Sequence, residues 1–571
     1  MFGYTGKLLE VDLTTSKTKI FDIDEKLFKK FIGGKGLGTK ILYDSLKPGV
    51  DSLSPENLLI FATGPLTGLA LPSSGCFSVI TKSPLTNIFY CSVARGNLGT
   101  RLKQAGFDIL VVKGSSSSPV FLEIEDNDCK IIGALDLWRK NIYQTEKILK
   151  DELGRNFAVA AIGISGEKFV RCASINVDSY GQCIAGAVMG SKNLKAIAVN
   201  GKNKLRYYDF DKFKFIARNI FKKVKIYKSK ASSNKAVKKN SLPTKNFQSS
   251  SFECSYKLSE EFQENITTKT KGCYLCQLKC LRHFFVKNEK YKCECLAFNQ
   301  TLAMLGSNWL IRDIAPLAYA SYLCNDYGLD ASSICNVVGF VMECSEKNFI
   351  SSNINFSDDD AAIELIKKIA RRENIGNELA EGVKRYSERI NAAQFGAQVK
   401  GLEMFYDARY SPAIALAYIT SDTCEIPETF LELDCTGYSP EALARVVKCA
   451  QDNSSVSASL VLCELLPLEM KDFFELTNAA TGLELDESEY LKIGERIWNL
   501  ARLFNTREGI SRKDDTLPKR FTEEPLRTSD GKELIVKKDE LDKMLEDYYM
   551  LRNWDENGIP KKEKLVELEL I

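Results

Sequence analysis

The chain has 571 residues, 44% of them hydrophobic, and a formal net charge of +3. That length supports several buried cores, about three to four domains at roughly 100 to 200 residues each. The near-balanced charge points to no charged polymer as partner, which speaks against nucleic acid, and no run of about 18 uninterrupted apolar residues marks a membrane span.

The opening Met1-Phe2-Gly3-Tyr4-Thr5-Gly6-Lys7 lacks the basic-then-apolar order of a signal peptide, so a soluble, cytoplasmic protein is expected. Up to about residue 205, short apolar runs close on glycine or polar residues. Leu58–Gly64, Asp108–Gly114, Val120–Ile124, Phe157–Gly163 and Lys195–Gly201 have the length and β-branched content of strands. A β-rich N-terminal domain follows. Glycine clusters lie between these runs, at Gly33–Gly38, at Gly96 with Gly99, and from Gly181 through Gly186 to Gly190. They read as turns, or as places where backbone approaches a ligand. Gly34-Lys35-Gly36 is not a phosphate loop, because no Ser or Thr follows the lysine.

Residues 211–240 are rich in Lys and Arg, and Phe213, Ile216, Ile220, Val224 and Tyr227 fall at helical spacing. An amphipathic helix with a solvated basic face, running into a polar linker, is expected. Next comes Lys-Gly-Cys-Tyr-Leu-Cys-Gln-Leu-Lys-Cys, which places Cys273, Cys276 and Cys280 so that one tight loop can aim three thiolates at an iron–sulfur cluster. A [4Fe-4S] cube needs a fourth thiolate, which can come from far along the chain; Cys293 and Cys295 are nearby alternatives. The other cysteines among the 18 read as core residues, since no export signal favours disulfides. His283 is the single histidine, which rules out a multi-histidine metal site. From about residue 300 the apolar period is helical: Ile363, Ile366 and Ile369, then Leu379 and Val383, then Ala442, Val446 and Ala450, then Ile497, Leu500 and Leu503.

Several segments together resemble the tungsten-dependent aldehyde:ferredoxin oxidoreductases. They are Phe2–Thr15, Gly33–Gly38, Thr81–Thr86, Gly186–Ala196, Leu242–Phe247, Asn325–Asp330 and Arg512–Arg520, in order along the whole chain. The resemblance implies an α+β subunit in which a β-rich N-terminal domain underlies the cofactor and two mainly helical domains cover it. On this chain the boundaries fall at 1–205, 206–405 with the cysteine triplet, and 406–571. It implies a tungsten (or molybdenum) held by two pterin dithiolenes beside a [4Fe-4S] cluster. An aldehyde gives two electrons to the metal, and they leave singly through the cluster to ferredoxin or an iron–sulfur subunit. By the same resemblance Cys273, Cys276, Cys280 and Cys463 hold the cluster, and Asn325, Leu329 and Asp330 contact pterin. A homo- or hetero-oligomer is expected, with no nucleic acid and no membrane as partner.

The chain departs from the family at several positions. Ala458 and Val461 stand where an acid and a glycine belong, and Cys76 replaces an arginine. Arg95 takes a glycine's place, where a guanidinium either clashes with pterin or reaches its phosphate. Gln300 and Pro427 occupy the family's catalytic positions and cannot move a proton, which leaves the catalytic residues unassigned; Glu425 and Glu428 are the carboxylates near the second position. Two readings follow: an oxidoreductase of this chemistry with a rebuilt site, or a non-catalytic, cluster-bearing paralogue acting as scaffold or electron relay.

Overall fold

Apolar runs become strands here because both faces of the central strands are covered. In a computed structural model the chain is described at all residues except 179–180, 231–242, 253–266, 427–429, 431–434, 436 and 529. β1 (Lys7–Asp12), β2 (Lys17–Asp22), β3 (Leu59–Ala62), β4 (Phe77–Lys82), β5 (Phe89–Ala94) and β6 (Ile109–Lys113) form one sheet in the order β2-β1-β6-β3-β4-β5. Only β1 and β6 run parallel. β7 (Val120–Glu125), β8 (Asp128–Gly133), β9 (Ala158–Ile162), β10 (Ile175–Val177), β11 (Gly181–Cys183) and β12 (Leu194–Asn200) form a second, ordered β11-β10-β9-β12-β7-β8. β3, β4, β9 and β12 are buried along their whole length; β3 and β9 are accordingly continuous apolar runs, while β4 and β12 also bury Ser78, Thr81, Lys82, Lys195 and Asn200.

The second half is helical, giving the α+β architecture of a β-rich N-terminal part followed by helices. The periods at 363–369 and 497–503 fall on the helices Asp359–Arg371 and Glu487–Arg507. Leu379 and Val383 belong to two short helices parted at Gly382, whose φ of 87° breaks the run. In the helix Pro440–Leu460 the buried stripe is Leu443, Ala444 and Val447; Ala442, Val446 and Ala450 lie one residue off it, half-buried. The helix Phe210–Lys230 buries Phe213, Ile216, Ile220 and Val224 against Met470–Thr481 and pairs Lys223 with Asp472 at 2.8 Å. The expected polar linker lies almost wholly outside the described residues. Among those described, no helix is long and apolar enough to cross a membrane.

Two features differ from the sequence expectation. β13 (Thr267–Lys271), β14 (Leu281–Val286) and β15 (Cys293–Ala297) form a small antiparallel sheet, and the cysteine loop 272–280 joins its first two strands. The Gly33–Gly38 cluster is not a turn: it opens the helix Gly34–Ser45, with Gly34 at positive φ and Lys35 lining the cavity described below. Its glycines admit backbone where a Cβ would not fit. A Cβ on Gly36 would stand 2.1 Å from the Phe31 carbonyl oxygen, and one on Gly64 2.4 Å from that of Leu460. The Gly36 amide then donates to Ser459 Oγ at 2.9 Å, fastening this helix start to the end of Pro440–Leu460.

Gly36→Ala should therefore destabilise by about 1–3 kcal/mol or more, the usual cost of overpacking. Gly133→Ala, whose Cβ would meet nothing within 4 Å, should stay within about 0.5 kcal/mol of the parent. Thermal melts of the two variants check this; equal melting temperatures would refute the packing role.

Candidate functional site

The cysteine loop owes its shape to local backbone constraints. The Cys276 amide donates to the Cys273 carbonyl at 2.9 Å, and Leu275 and Lys279 take left-handed φ values of 53° and 49°. A Cβ on Gly272 would stand 2.4 Å from the Cys276 carbonyl oxygen, so only glycine fits at the loop's entry. The loop is tied to the N-terminal part by the Ser73 amide, which donates to the Tyr274 carbonyl at 2.9 Å.

Cys463 reaches this loop from just beyond the helix Pro440–Leu460. Burial raises the thiols of Cys273, Cys276 and Cys280, the last to about 11, and each feels Cys463 as a charged neighbour. The structure thus brings all four predicted cysteines together, with Cys273, Cys276 and Cys463 buried and Cys280 half-buried. Cys76 joins them: burial first, then Cys463, raises its thiol to about 12, and Ser73 Oγ lies 3.5 Å from its sulfur. Cys293 and Cys295 stand apart on β15, beside Ser321, Tyr143 and Cys324.

Among the described residues, no three His, Cys, Asp or Glu side chains converge as a single ion's ligands would. A four-iron cube spreads its thiolates around four metal atoms, and soft thiolate donors suit it. Four thiols crowded together fit such a cluster, because iron takes them as thiolates and offsets the repulsion between their charges.

Arg95 and Cys463 both line a cavity next to the nest. The Arg95 guanidinium stacks on the Phe298 ring at 4.8 Å. Burial alone would lower its pKa, but Cys463, Cys280, Glu464 and Cys273 hold it above the ordinary arginine value. The cavity beyond has a volume of about 470 Å³, within the roughly 300–1,000 Å³ of cofactor and ligand pockets. Both the N-terminal sheets and the helical part line it.

Among the predicted pterin contacts, Asn325 and Asp330 line the cavity, whereas Leu329 is wholly buried and bridges to Ala173. Asn325 Nδ2 donates to the Leu296 carbonyl at 2.9 Å. Asp330 caps the helix Ala331–Glu346, accepting from the Ser333 amide at 2.7 Å, so it combines a structural role with a cavity-facing one. Gln300 lines the cavity and donates through Nε2 to the Tyr406 hydroxyl at 3.0 Å. Pro427 lies outside the described residues. Ala458 lines the wall, and Val461 takes φ 60°, the left-handed region that favours glycine.

Sequence reasoning missed three polar wall residues that no motif signals. Lys35 pairs with Asp422 at 2.6 Å, both nearly buried. Glu403 is 7% exposed, and its Oε1 accepts from the Val383 amide at 3.0 Å. Burial, with Asp330 adding to it, raises the Glu403 carboxyl to about 7.

Two family models match the chain: aldehyde ferredoxin oxidoreductase, N-terminal domain, over residues 8–201, and aldehyde ferredoxin oxidoreductase, domains 2 & 3, over residues 214–570. Similar relatives include the tungsten-containing aldehyde ferredoxin oxidoreductase of Pyrococcus abyssi, 36% identical over 100% of this chain and 99% of that one. The enzyme of the same description from Thermococcus kodakarensis is 34% identical, over 100% and 99%. The WOR-like subunit of an aliphatic sulfonate oxidoreductase from Pyrococcus furiosus is 31% identical, over 100% and 97%. Among solved structures, the active-site complex BamBC of benzoyl coenzyme A reductase with 1,5-dienoyl-CoA shares the fold. Its TM-score is 0.88 at 24% identity, covering 100% of this chain and 97% of that one.

Glu403 gives the site a pH signature. The folded protein binds its proton more tightly than the unfolded chain does, so stability should fall as pH rises from about 4.5 through about 7. The full effect is of order 3 kcal/mol. Glu403→Gln should flatten that fall in melting temperature measured between pH 5 and 8; an unchanged slope would refute the assignment.

Proposed function

The chain belongs to the aldehyde ferredoxin oxidoreductase family, and from that premise we propose that it is an iron–sulfur oxidoreductase acting on aldehydes. The bound tungsten (or molybdenum) bis-pterin supplies the two-electron chemistry, oxidation of an aldehyde to a carboxylate or the reverse. The single observation that carries the reading is the meeting of four cysteines, from two distant stretches of chain, beside a cavity of about 470 Å³.

In this reading Cys273, Cys276, Cys280 and Cys463 hold a [4Fe-4S] cluster, and electrons leave it one at a time to ferredoxin or an iron–sulfur subunit. Asn325 and Asp330 offer amide and carboxylate partners to the pterin ring, and Leu329 packs behind them. Arg95 has the charge and the planar fork for a phosphate, and it stands where cavity and cysteines meet. Its fixed positive charge also favours the reduced cluster. The Gln300 amide orients through Tyr406 and moves no proton.

A second reading, a non-catalytic cluster-bearing relay or scaffold, is favoured by Gln300 and Ala458 standing at two wall positions where the family carries acids. Metal analysis separates the two: iron together with about one tungsten or molybdenum per chain supports the enzyme, and iron alone supports the relay. Aldehyde-dependent reduction of ferredoxin by the loaded protein is expected only of the enzyme.

Two variants test the cluster. Cys463→Ser should abolish or convert its electron paramagnetic resonance signal, and an unchanged signal would move the fourth ligand elsewhere. Arg95→Met should lower the cluster's reduction potential in a redox titration, and an unchanged midpoint would remove Arg95 from the cluster's environment.

A further inference from the structure

The turn after the helix Pro412–Thr420 lines the cavity with residues 421–426. Ser421 Oγ donates to the Glu425 carbonyl at 2.7 Å and accepts from the Thr423 amide at 3.3 Å. Asn505 Nδ2 donates to the Asp422 carbonyl at 2.8 Å, and Lys35 holds the Asp422 carboxylate. Cys424 is buried with φ 68°, a left-handed conformation that non-glycine residues keep only where their surroundings enforce it. Residues 421–425 all line the cavity; 421–424 are buried, and Glu425 is the most exposed of the five.

Charged and titratable groups face Glu425 from every side. Asp330 stands at the start of Ala331–Glu346, Glu464 follows Cys463, and Asp422 and Cys424 share the turn. Tyr90 and Cys91 come from β5, Cys183 from the end of β11, Tyr418 from the preceding helix, and Lys35 is the cation. Enclosure and this acidic majority hold the Glu425 carboxyl at about 8, with Lys35 pulling the other way. Gln300 shares the cavity but has no proton to exchange.

We propose that Glu425 is the catalytic proton acceptor of this cavity, taking a proton from the water that adds to an aldehyde carbon. The proposal rests on the oxidoreductase reading above. The balance is RCHO + H2O → RCOOH + 2 H⁺ + 2 e⁻. A C–O bond forms to the water oxygen and the aldehyde C–H bond breaks. One water proton goes to the Glu425 carboxylate and then to solvent, the other stays on the acid product, and the aldehyde hydrogen leaves as the second proton. The C–H electron pair ends on two one-electron iron–sulfur acceptors. Because the base must be ionised, kcat/KM for oxidation should rise with pH through about 8 and level off above it.

The test uses the metal-loaded enzyme with acetaldehyde and ferredoxin. Glu425→Gln should keep its iron and tungsten, lose roughly 10² to 10⁴-fold in kcat and lose the rising limb of the pH profile. Glu425→Asp should retain part of the rate with a shifted limb, which a merely structural role would not produce. Infrared difference spectra, independent of turnover, should show a carboxyl band that titrates near pH 8 in the parent and is missing in Glu425→Gln. An active parent with a Glu425→Gln variant within threefold of its kcat and an unchanged limb overturns this inference alone. A loaded parent that oxidises no aldehyde overturns the underlying reading with it.

Discussion

The candidate site depends on one backbone-to-backbone seating, that of the glycine-rich start of the helix Gly34–Ser45 against the last turn of Pro440–Leu460. Gly33, Gly34 and Gly64 face the carbonyl oxygens of residues 458–460 at distances that leave no room for a side chain, and the Gly36 amide reaches Ser459. This seating brings Ala458 and Cys463 to the N-terminal sheets. The Ser73–Tyr274 hydrogen bond does the same for the cysteine loop from the opposite end of the sequence. The cavity is the space that these two attachments leave between them. Side-chain packing alone rarely fixes such a space, because rotamers adjust; a carbonyl oxygen pressed against a glycine has no rotamer to change.

Electrostatics within that frame divide in two. On one side thiols crowd one another around Arg95; on the other, Asp330, Glu403, Glu425 and Glu464 share a wall with Lys35 and Asp422. Burial first, and then the neighbouring carboxylates, raises the Glu403 and Glu425 carboxyls toward neutrality. The wall therefore carries proton-binding groups poised around pH 7 to 8, a property that ordinary structural carboxylates lack. Such poise costs stability, and active sites are where proteins tolerate that cost.

Much of this was legible in the sequence, for reasons that differ by element. The runs at β3, β6, β7, β9 and β12 announced themselves because buried strands need apolar residues at consecutive positions. The triplet announced itself by spacing, whereas Cys463 was reachable only through family resemblance. β13 to β15 did not stand out: their Thr, Lys, Arg and Glu residues blur the alternation of a half-exposed sheet. The helix that opens at Gly33–Gly38 was not read because its partners lie some 420 residues away, and no local pattern can report a distant carbonyl. Glu403 and Glu425 carry no motif at all; burial and neighbours, not residue type, set them apart. Cys76 was seen as a lost arginine, and only the fold places it among the other thiols.

The wide separation of Cys463 from the triplet also has a meaning for synthesis. Three of the thiols are on the chain by residue 280, but the fourth arrives only with residue 463 and is positioned only when the helix that precedes it docks on residues made at the very start. In the proposed cluster site, the complete donor set is therefore a late product of translation. A ribosome-bound or truncated chain that ends before that point lacks the Cys463 sulfur, so completion of the nest records that two distant parts of the polypeptide have met.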